Sequence, residues 1–381
     1  MIVMMICHYD DTNSSGGLDK QARLLSRTLR AAGEDVVMLA STRKWSRAGW
    51  VMDEGVRVRY FWTFNTPQIA GRHLPAALLW AAQLFVWIAW NRAAIDVLHC
   101  HQIRIHAFAA ALARKLFTIP SILKSATGGA GADIITIGSH KYFGGSGRRF
   151  VIRHTDTFIA TTQTVIDDLE TYGVPSEKIA LIPNGLELAP LSVGKGSEYR
   201  SGRALFLGRL GPDKNTPALA DAAAQVAGEG QLQVDFYGRG REQALLEETI
   251  ERNGNKAVSY RGWTSDPTPV LLDYGYLLLA SNAEGLSNSM IEAMSQGVVP
   301  VATRVSGCVD HITEGKTGFF FDGVNREALV TALEKIKTIS ENEWAELSAN
   351  VSRYARERFD IGMISAAYRT LYARLLAGAK A

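Results

Sequence analysis

Residues 284–297 read Glu284-Gly285-Leu286-Ser287-Asn288-Ser289-Met290-Ile291-Glu292-Ala293-Met294-Ser295-Gln296-Gly297. Two carboxylates stand eight positions apart. The first sits on a glycine turn. The second lies in a short apolar run, Met290 to Met294, that reads as the first turns of a helix, with Ser287 or Asn288 as its N-cap. A strand-like run, Tyr276 to Ala280, precedes it, and another, Val298 to Ala302, follows. This is a strand–loop–helix–strand unit, and its loop falls where open α/β sheets hold ligands. Backbone N–H groups at such a helix start attract phosphate. Ionised carboxylates beside them accept hydrogen bonds, which suits sugar hydroxyls. Taken alone, the pattern also fits a capped helix carrying an ordinary surface glutamate.

Outward from this stretch, the alternation of strands and helices fills the chain. In the first half, strands are expected at Met1–His8, Asp35–Ser41, Val56–Phe61, Val97–Cys100, Ile119–Lys124, Thr157–Thr161 and Lys178–Ile182. Helical patterns fall at Gly17–Ala32, Leu74–Trp90, Ile105–Leu116 and Thr164–Tyr172. A polar, aperiodic stretch, Ser192 to Gly202, reads as a linker. The alternation then restarts with strands Arg203–Leu207, Gln233–Tyr237 and Ala257–Tyr260. Helices are expected at Thr216–Ala227, Glu242–Arg252 and Arg326–Ile339, and a long helical pattern runs from Glu343 to Leu376. Strands separated by helices argue for parallel sheets. With 381 residues and 47% hydrophobic composition, two α/β domains are the economical reading. The expected division is 1–190, a linker at 191–202, 203–355, and a terminal helix over 356–381 that packs back on the first domain. Ser125–Arg149 is glycine-rich and weakly periodic, which predicts a long substrate-binding loop.

The charge is nearly balanced, at +3 overall, with +5 in residues 1–190 and −2 in residues 191–381. That excess is too small for a nucleic-acid footprint. It suits either a first half that meets an anionic lipid or acceptor, or an ordinary surface imbalance. Three scattered cysteines, Cys7, Cys100 and Cys308, show no metal spacing, and Cys7 and Cys100 sit in apolar strand-like runs and read as reduced core residues, which predicts a cytoplasmic protein. No D-x-D pair stands in a plausible loop, and no metal is expected.

Two further motifs carry chemistry. Gly208-Arg209-Leu210 with Lys214-Asn215 places two cations just beyond a strand end. A diphosphate leaving group needs such charge, because negative charge grows on the departing oxygen as its bond breaks. Arg offers paired hydrogen bonds to phosphate and Lys a point charge. Ser14-Ser15-Gly16-Gly17 joins the first strand to the first helix, where glycine lets backbone approach an anion closely. It equally fits a tight turn, and it lacks the G-x-G-x-x-G order of a dinucleotide site.

The order E-G-L-S-N-x-x-x-E-A-M-x-x-G-x-x-P-V, with G-R-L-x-x-x-K-N upstream, resembles the retaining glycosyltransferases of family 4. The resemblance covers nearly the whole chain and is strongest from Lys178 to Phe321. It implies a GT-B fold, in which two Rossmann-like doubly wound domains face a central cleft. It implies a nucleotide-diphosphate sugar as donor, with UDP favoured, and no cofactor. Glu284 is then expected to bind donor-sugar hydroxyls, Glu292 the ribose, and Arg209 and Lys214 the leaving diphosphate. Gly16, Gly17, Gly208, Gly238, Arg261 and the Gly285-Leu286-Ser287-Asn288 turn are expected around the donor. Gly238-Arg239-Gly240 departs from the family pattern, since the usual acidic residue between the glycines is Arg239 here. Pro183-Asn184-Gly185 resembles the family's turn before the linker.

Many family members carry a histidine after the strand matching Ile119–Lys124, and Lys124 occupies that neighbourhood here. Lys124 and His101, the latter in D-V-L-H-C-H, are the candidate acceptor contacts, although each also fits a packed strand end. Leu74–Trp90 fits a buried helix, a surface helix touching membrane, or, least well, a short span. The expected activity is retaining, metal-independent sugar transfer to a glycan, glycolipid or lipid-linked acceptor, at the inner face of the cytoplasmic membrane or free in the cytoplasm. A sugar-phosphate synthase of the same fold and a catalytically silent nucleotide-sugar-binding protein are the rival readings.

Overall fold

The computed structural model describes every residue except 7–16, 69–70, 126, 130–131, 140–143, 189–199, 229–231 and 381. The chain forms two compact units. One comprises Met1–Glu187 with Ile361–Ala381, and the other Leu188–Asp360. The expected linker lies mostly outside the described residues.

Among the described residues the first unit holds eight strands: β1 (Ile2–Ile6), β2 (Val36–Thr42), β3 (Gly49–Asp53), β4 (Val56–Trp62), β5 (Val97–His101), β6 (Ser121–Lys124), β7 (Thr157–Ala160) and β8 (Ile179–Leu181). Their order across the sheet is β3-β4-β2-β1-β5-β6-β7-β8. All neighbours pair in parallel except β3, which runs antiparallel along β4 at the edge. Helices cover both faces. Strands buried on both sides read as continuous apolar runs, which is why β1 is Ile-Val-Met-Met-Ile with every residue buried. β5 is equally buried yet carries His99 and His101.

On one face, helices Leu74–Asn91 and Ile105–Phe117 pack over the sheet around Trp80, which is fully buried. Truncating such a ring costs about 3–5 kcal/mol. On the other face, helices Gly17–Ala31 and Ile361–Lys380 bury Leu25, Leu29, Tyr368 and Tyr372. Helix Leu74–Asn91 is neither wholly buried nor free of the core. Ala77, Trp80, Leu84 and Ile88 are inside, while Leu78, Val86 and Trp90 face outward.

The second unit holds six strands: β9 (Arg203–Leu207), β10 (Gln233–Tyr237), β11 (Val258–Tyr260), β12 (Tyr276–Leu279), β13 (Val299–Thr303) and β14 (Phe319–Phe321). They pair in parallel in the order β11-β10-β9-β12-β13-β14. The strand order reverses between β9 and β12, and this switch point is where doubly wound sheets bind ligands.

Two expectations need correction, and two strands were not anticipated. The stretch Ser125–Arg149 is not one long loop, because helix Asp133–Ser139 lies within it and helix Gly144–Arg153 begins there. Buried Ile134, Ile137 and Val151 anchor these helices, so tertiary packing overrides the glycine-rich local signal. The Glu343–Leu376 pattern is two helices, Glu341–Phe359 and Ile361–Lys380. Asp360 turns extended between them, and the Ile361 N–H donates to the Leu186 carbonyl instead of continuing the first helix. Strands β3 and β14 carry no clear alternation in sequence and emerge only through pairing.

Candidate active site

Each strong motif follows one of the two strands at the second unit's switch point. Gly208–Asn215 follows β9, and Ser281–Asn288 follows β12. The two loops are stitched together. The Asn282 N–H donates to the Asp213 carbonyl at 2.8 Å. Asn215 Nδ2 donates to the Ala280 carbonyl and to Asn282 Oδ1, both at 2.8 Å. Asn215 adopts a left-handed conformation at φ 50°, which asparagine tolerates better than most residues and which turns the chain into the helix Thr216–Val226.

Across this stitch, Lys214 Nζ donates to Glu284 Oε1 at 2.5 Å. Ser281 Oγ donates to the same oxygen at 2.7 Å. Both charged side chains are largely shielded, Lys214 at 14% and Glu284 at 11% exposure, so their attraction is screened less than at the surface. Arg209 is different. Its side chain is 63% exposed, and its guanidinium donates to both oxygens of Asp213, at 2.8 and 2.9 Å. The two expected diphosphate cations therefore stand in one loop but hold different carboxylates. Asp213 also lies 3.6 Å from Lys214; burial pushes its carboxyl up, but Lys214 and Arg209 with the hydrogen bonds outweigh this and hold it below the usual range.

Ser287 caps the helix Asn288–Ser295, its hydroxyl accepting from the Met290 N–H at 3.4 Å. This decides between the two candidate caps. Leu286 is buried beneath the loop, Asn288 opens the helix, and Glu292 stands half-buried in its second turn. Gly307, in the short helix Ser306–Val309 after β13, backs this turn: a Cβ there would lie 2.3 Å from the Gly285 carbonyl oxygen, so only glycine lets the two backbones meet.

Gly208 and Gly238 meet at the ends of β9 and β10. Gly238 has φ 157°, and a Cβ on it would lie 1.9 Å from the Gly208 carbonyl oxygen, so the G-x-G turn serves close backbone approach. Arg239 lies over the Trp263 ring at 4.2 Å, and Trp263 is half-exposed rather than in the core. Arg261 Nε donates to Asp235 Oδ1 at 2.9 Å. Asp235 is buried and also accepts from Arg203 at 2.9 Å and from the Tyr274 hydroxyl at 2.6 Å. The hydrogen bond to Asp235 raises the Arg261 pKa further, so its side chain is occupied in a structural network.

In the first unit the strand order reverses between β1 and β5. Gly16 lies outside the described residues, and Gly17 opens the helix Gly17–Ala31. Asp19 in its first turn is pushed up to about 7 by burial, with Arg23 opposing. His101 ends β5 and Lys124 ends β6, as register partners. Both are buried. The rings of His99 and His101 stack at 4.5 Å, and His99 Nδ1 is hydrogen-bonded to the Tyr372 hydroxyl at 2.8 Å. Neither ring nitrogen of His101 has a hydrogen-bond partner among the described residues. Lys124 Nζ lies 5.9 Å from the Tyr368 ring and makes no salt bridge among the described residues. Burial lowers Lys124 to about 7 and His99 to about 3, and holds His101 well below the ordinary imidazole range. Gln102, next along, sits at φ 89°, a strained conformation for a non-glycine residue. Its side chain faces Arg104 and buried Asp133.

The structure thus joins Glu284 to Lys214 and His101 to Lys124. Sequence reasoning quoted Asn215 in its motif without giving it a role, and missed Ser281, Gln102 and Asp133. Of these three only Ser281 left a signal, its three-residue spacing from Glu284. Among the described residues no group of three His, Cys, Asp or Glu side chains could hold a metal ion. Cys100 and Cys308 are buried thiols, and Cys7 is outside the described residues.

Residues 16–185 match the model of a glycosyl transferase 4-like domain, and residues 201–338 that of glycosyl transferases group 1. The chain is 24% identical to N-acetyl-alpha-D-glucosaminyl L-malate synthase of Bacillus anthracis over 296 residues, covering 74% of this chain and 75% of that protein. Its fold is similar to sucrose-phosphate synthase of Thermosynechococcus elongatus, with TM-score 0.80 at 18% identity over 99% of each chain. It is also similar to Anabaena HepE in complex with UDP-glucose, with TM-score 0.73 at 17% identity over 99% of each chain.

Proposed function

Because the chain belongs to the glycosyltransferases of GT-B fold, with a 4-like domain followed by a group 1 domain, we propose that it transfers a sugar, with retention of configuration, from a UDP-sugar to a glycan, glycolipid or lipid-linked acceptor. One observation carries the reading. Lys214 and Glu284 meet at the switch point between β9 and β12, beside the N-terminus of helix Asn288–Ser295. A cation, a carboxylate and a helix N-terminus there suit a diphosphate joined to a polyhydroxylated ring. The solved complexes of HepE with UDP and with UDP-glucose support a uridine donor.

In this reading Lys214 and Arg209, with the Gly16–Gly17 backbone, stabilise the charge that develops on the leaving diphosphate. Glu284 binds donor hydroxyls, and Glu292 accepts from the ribose. Gly208, Gly238 and the backbone of Arg261 shape the donor pocket, and Gly285 to Asn288 bring backbone to the phosphates. Lys124 and His101 meet the acceptor, which attacks from the face the diphosphate leaves. The positive charge near the diphosphate takes the part a metal plays elsewhere, and the protein works in the cytoplasm.

A sugar-phosphate synthase is the second reading, and Lys124 favours it, since a buried lysine that makes no salt bridge among the described residues suits an anionic acceptor. The experiment is a panel of nucleotide sugars screened by thermal shift, followed by transfer from the tightest binder to neutral, phosphorylated and lipid-linked acceptors. A ligand at 100 times its dissociation constant stabilises by about 2.7 kcal/mol. Binding and transfer from a UDP-sugar support the proposal. The absence of both with every nucleotide sugar overturns it.

A further inference from the structure

We infer that strand β3, the turn Trp45–Arg47 and the outward face of helix Leu74–Asn91 form a surface that docks on a bilayer of anionic phospholipid. Residues 43–94 hold six of the chain's eight tryptophans, and seven Lys or Arg against two Asp or Glu. Fourteen large apolar side chains are exposed among the described residues, and eight of them fall within this stretch.

Tertiary structure gathers these residues. Trp50 on edge strand β3 touches Trp87 on the helix, with ring centroids 6.2 Å apart. Trp45 meets Trp62 edge-on at 5.2 Å, and Gln83 of the helix donates to the Trp62 carbonyl at 3.3 Å. Arg59 stands opposite Trp50 in the β3–β4 pairing, with its guanidinium 5.9 Å from that ring. Along the helix, Leu78, Ala82, Val86 and Trp90 recur every four residues and all face solvent, Trp90 at 84% exposure. No Lys, Arg, Asp or Glu interrupts the run between Arg72 and Arg92.

A surface helix of a soluble protein keeps polar residues on its outer face. This one is anchored by Trp80, Leu84 and Ile88 and is apolar outside as well. An exposed apolar edge strand beside it invites association. The charge selects the occupant. A second copy presenting the same face would bring like charges together. An anionic bilayer offers acyl chains to the apolar residues, an interface to the tryptophans and phosphates to the arginines. The use of this surface, bringing the enzyme to a lipid-linked acceptor, rests on the transferase reading. The docking itself does not, because it is read without donor or acceptor.

The test is co-sedimentation of the full chain with vesicles of phosphatidylcholine alone or with one third phosphatidylglycerol. Wild type should sediment with the anionic vesicles and be released by salt. Val86→Ser with Trp90→Ser should lower partitioning at least tenfold. Arg72→Gln and Arg92→Gln should each lower it about fivefold on anionic vesicles only. Unchanged melting temperature and UDP affinity would confirm that the variants fold. The inference is overturned if wild type stays in the supernatant, or if the serine variant binds as well as wild type. A dimer in solution that the serine variant dissociates would also overturn it, by assigning the face to a second copy.

Discussion

Lys214 Nζ and Glu284 Oε1 lie 2.5 Å apart, although 70 residues separate them in sequence. Their loops leave adjacent parallel strands, β9 and β12, so the sheet topology makes the meeting. Each residue therefore sets the charge environment of the other. Lys214→Ala and Glu284→Gln should each lower turnover by about 100 to 1000-fold, the usual loss for one preorganised charge-stabilising group. The double variant should lose less than the product of the two, because the second substitution removes a partner already stranded. Steady-state kinetics on the three variants reads this coupling. Strict multiplicativity would mean that the pair acts as two independent groups.

Arg209→Ala should also cut turnover by about 100-fold while leaving stability unchanged. Its side chain is mostly exposed and, among the described residues, pairs with Asp213 alone, so the fold does not depend on it. Near-wild-type turnover in this variant would leave Lys214 as the sole diphosphate cation of the loop.

Glu284 precedes the helix cap, and Glu292 lies in the second helical turn. Glu284→Gln should act mainly on turnover, since contacts that strengthen in the transition state appear in kcat. Glu292→Gln should mainly raise the donor KM and weaken the free nucleotide diphosphate. Isothermal titration beside kinetics distinguishes the two. Weakened nucleotide binding in Glu284→Gln alone would reverse the roles.

Transfer should survive excess chelator, as the charge at Lys214 and Arg209 and the helix N-terminus serve the diphosphate. Activity abolished by EDTA and restored by Mn²⁺ or Mg²⁺ would contradict this.

Lys124 should make stability depend on pH. Its buried ammonium titrates at about 7 in the fold, against 10.5 for an ordinary lysine. Between these values the unfolded chain binds the extra proton, so stability rises with pH across that window. Lys124→Met removes the group. The variant should be more stable than wild type below about pH 7, and the advantage should shrink as pH rises toward 10.5. Denaturant midpoints at pH 6.5, 8 and 9.5 test this. A difference that does not vary with pH would show that Lys124 keeps its ordinary pKa.

Local sequence determined most of the strands and helices. β10 runs over Gln233–Tyr237 as its pattern predicts, because Val234 and Phe236 alternate with polar Gln233 and Asp235 between turns, and that period of two specifies a strand locally. The positions of Glu284, Lys214 and Arg209 on loops after strands were legible for the same reason. Where the local pattern was weak, packing decided. The helices at Asp133–Ser139 and Gly144–Arg153 exist because Ile134, Ile137 and Val151 find a core to enter, which a glycine-rich sequence does not announce. β3 exists because β4 offers an edge. Which carboxylate each cation holds was beyond the sequence, since Arg209 reaches four residues to Asp213 while Lys214 reaches across to Glu284 on the loop after the neighbouring strand. Contacts of that kind are set by strand order, a long-range property of the whole sheet. The burial of Lys124 and His101 is equally tertiary, because only the closing helix Ile361–Lys380, far along the chain, brings Tyr368 and Tyr372 over their face of the sheet.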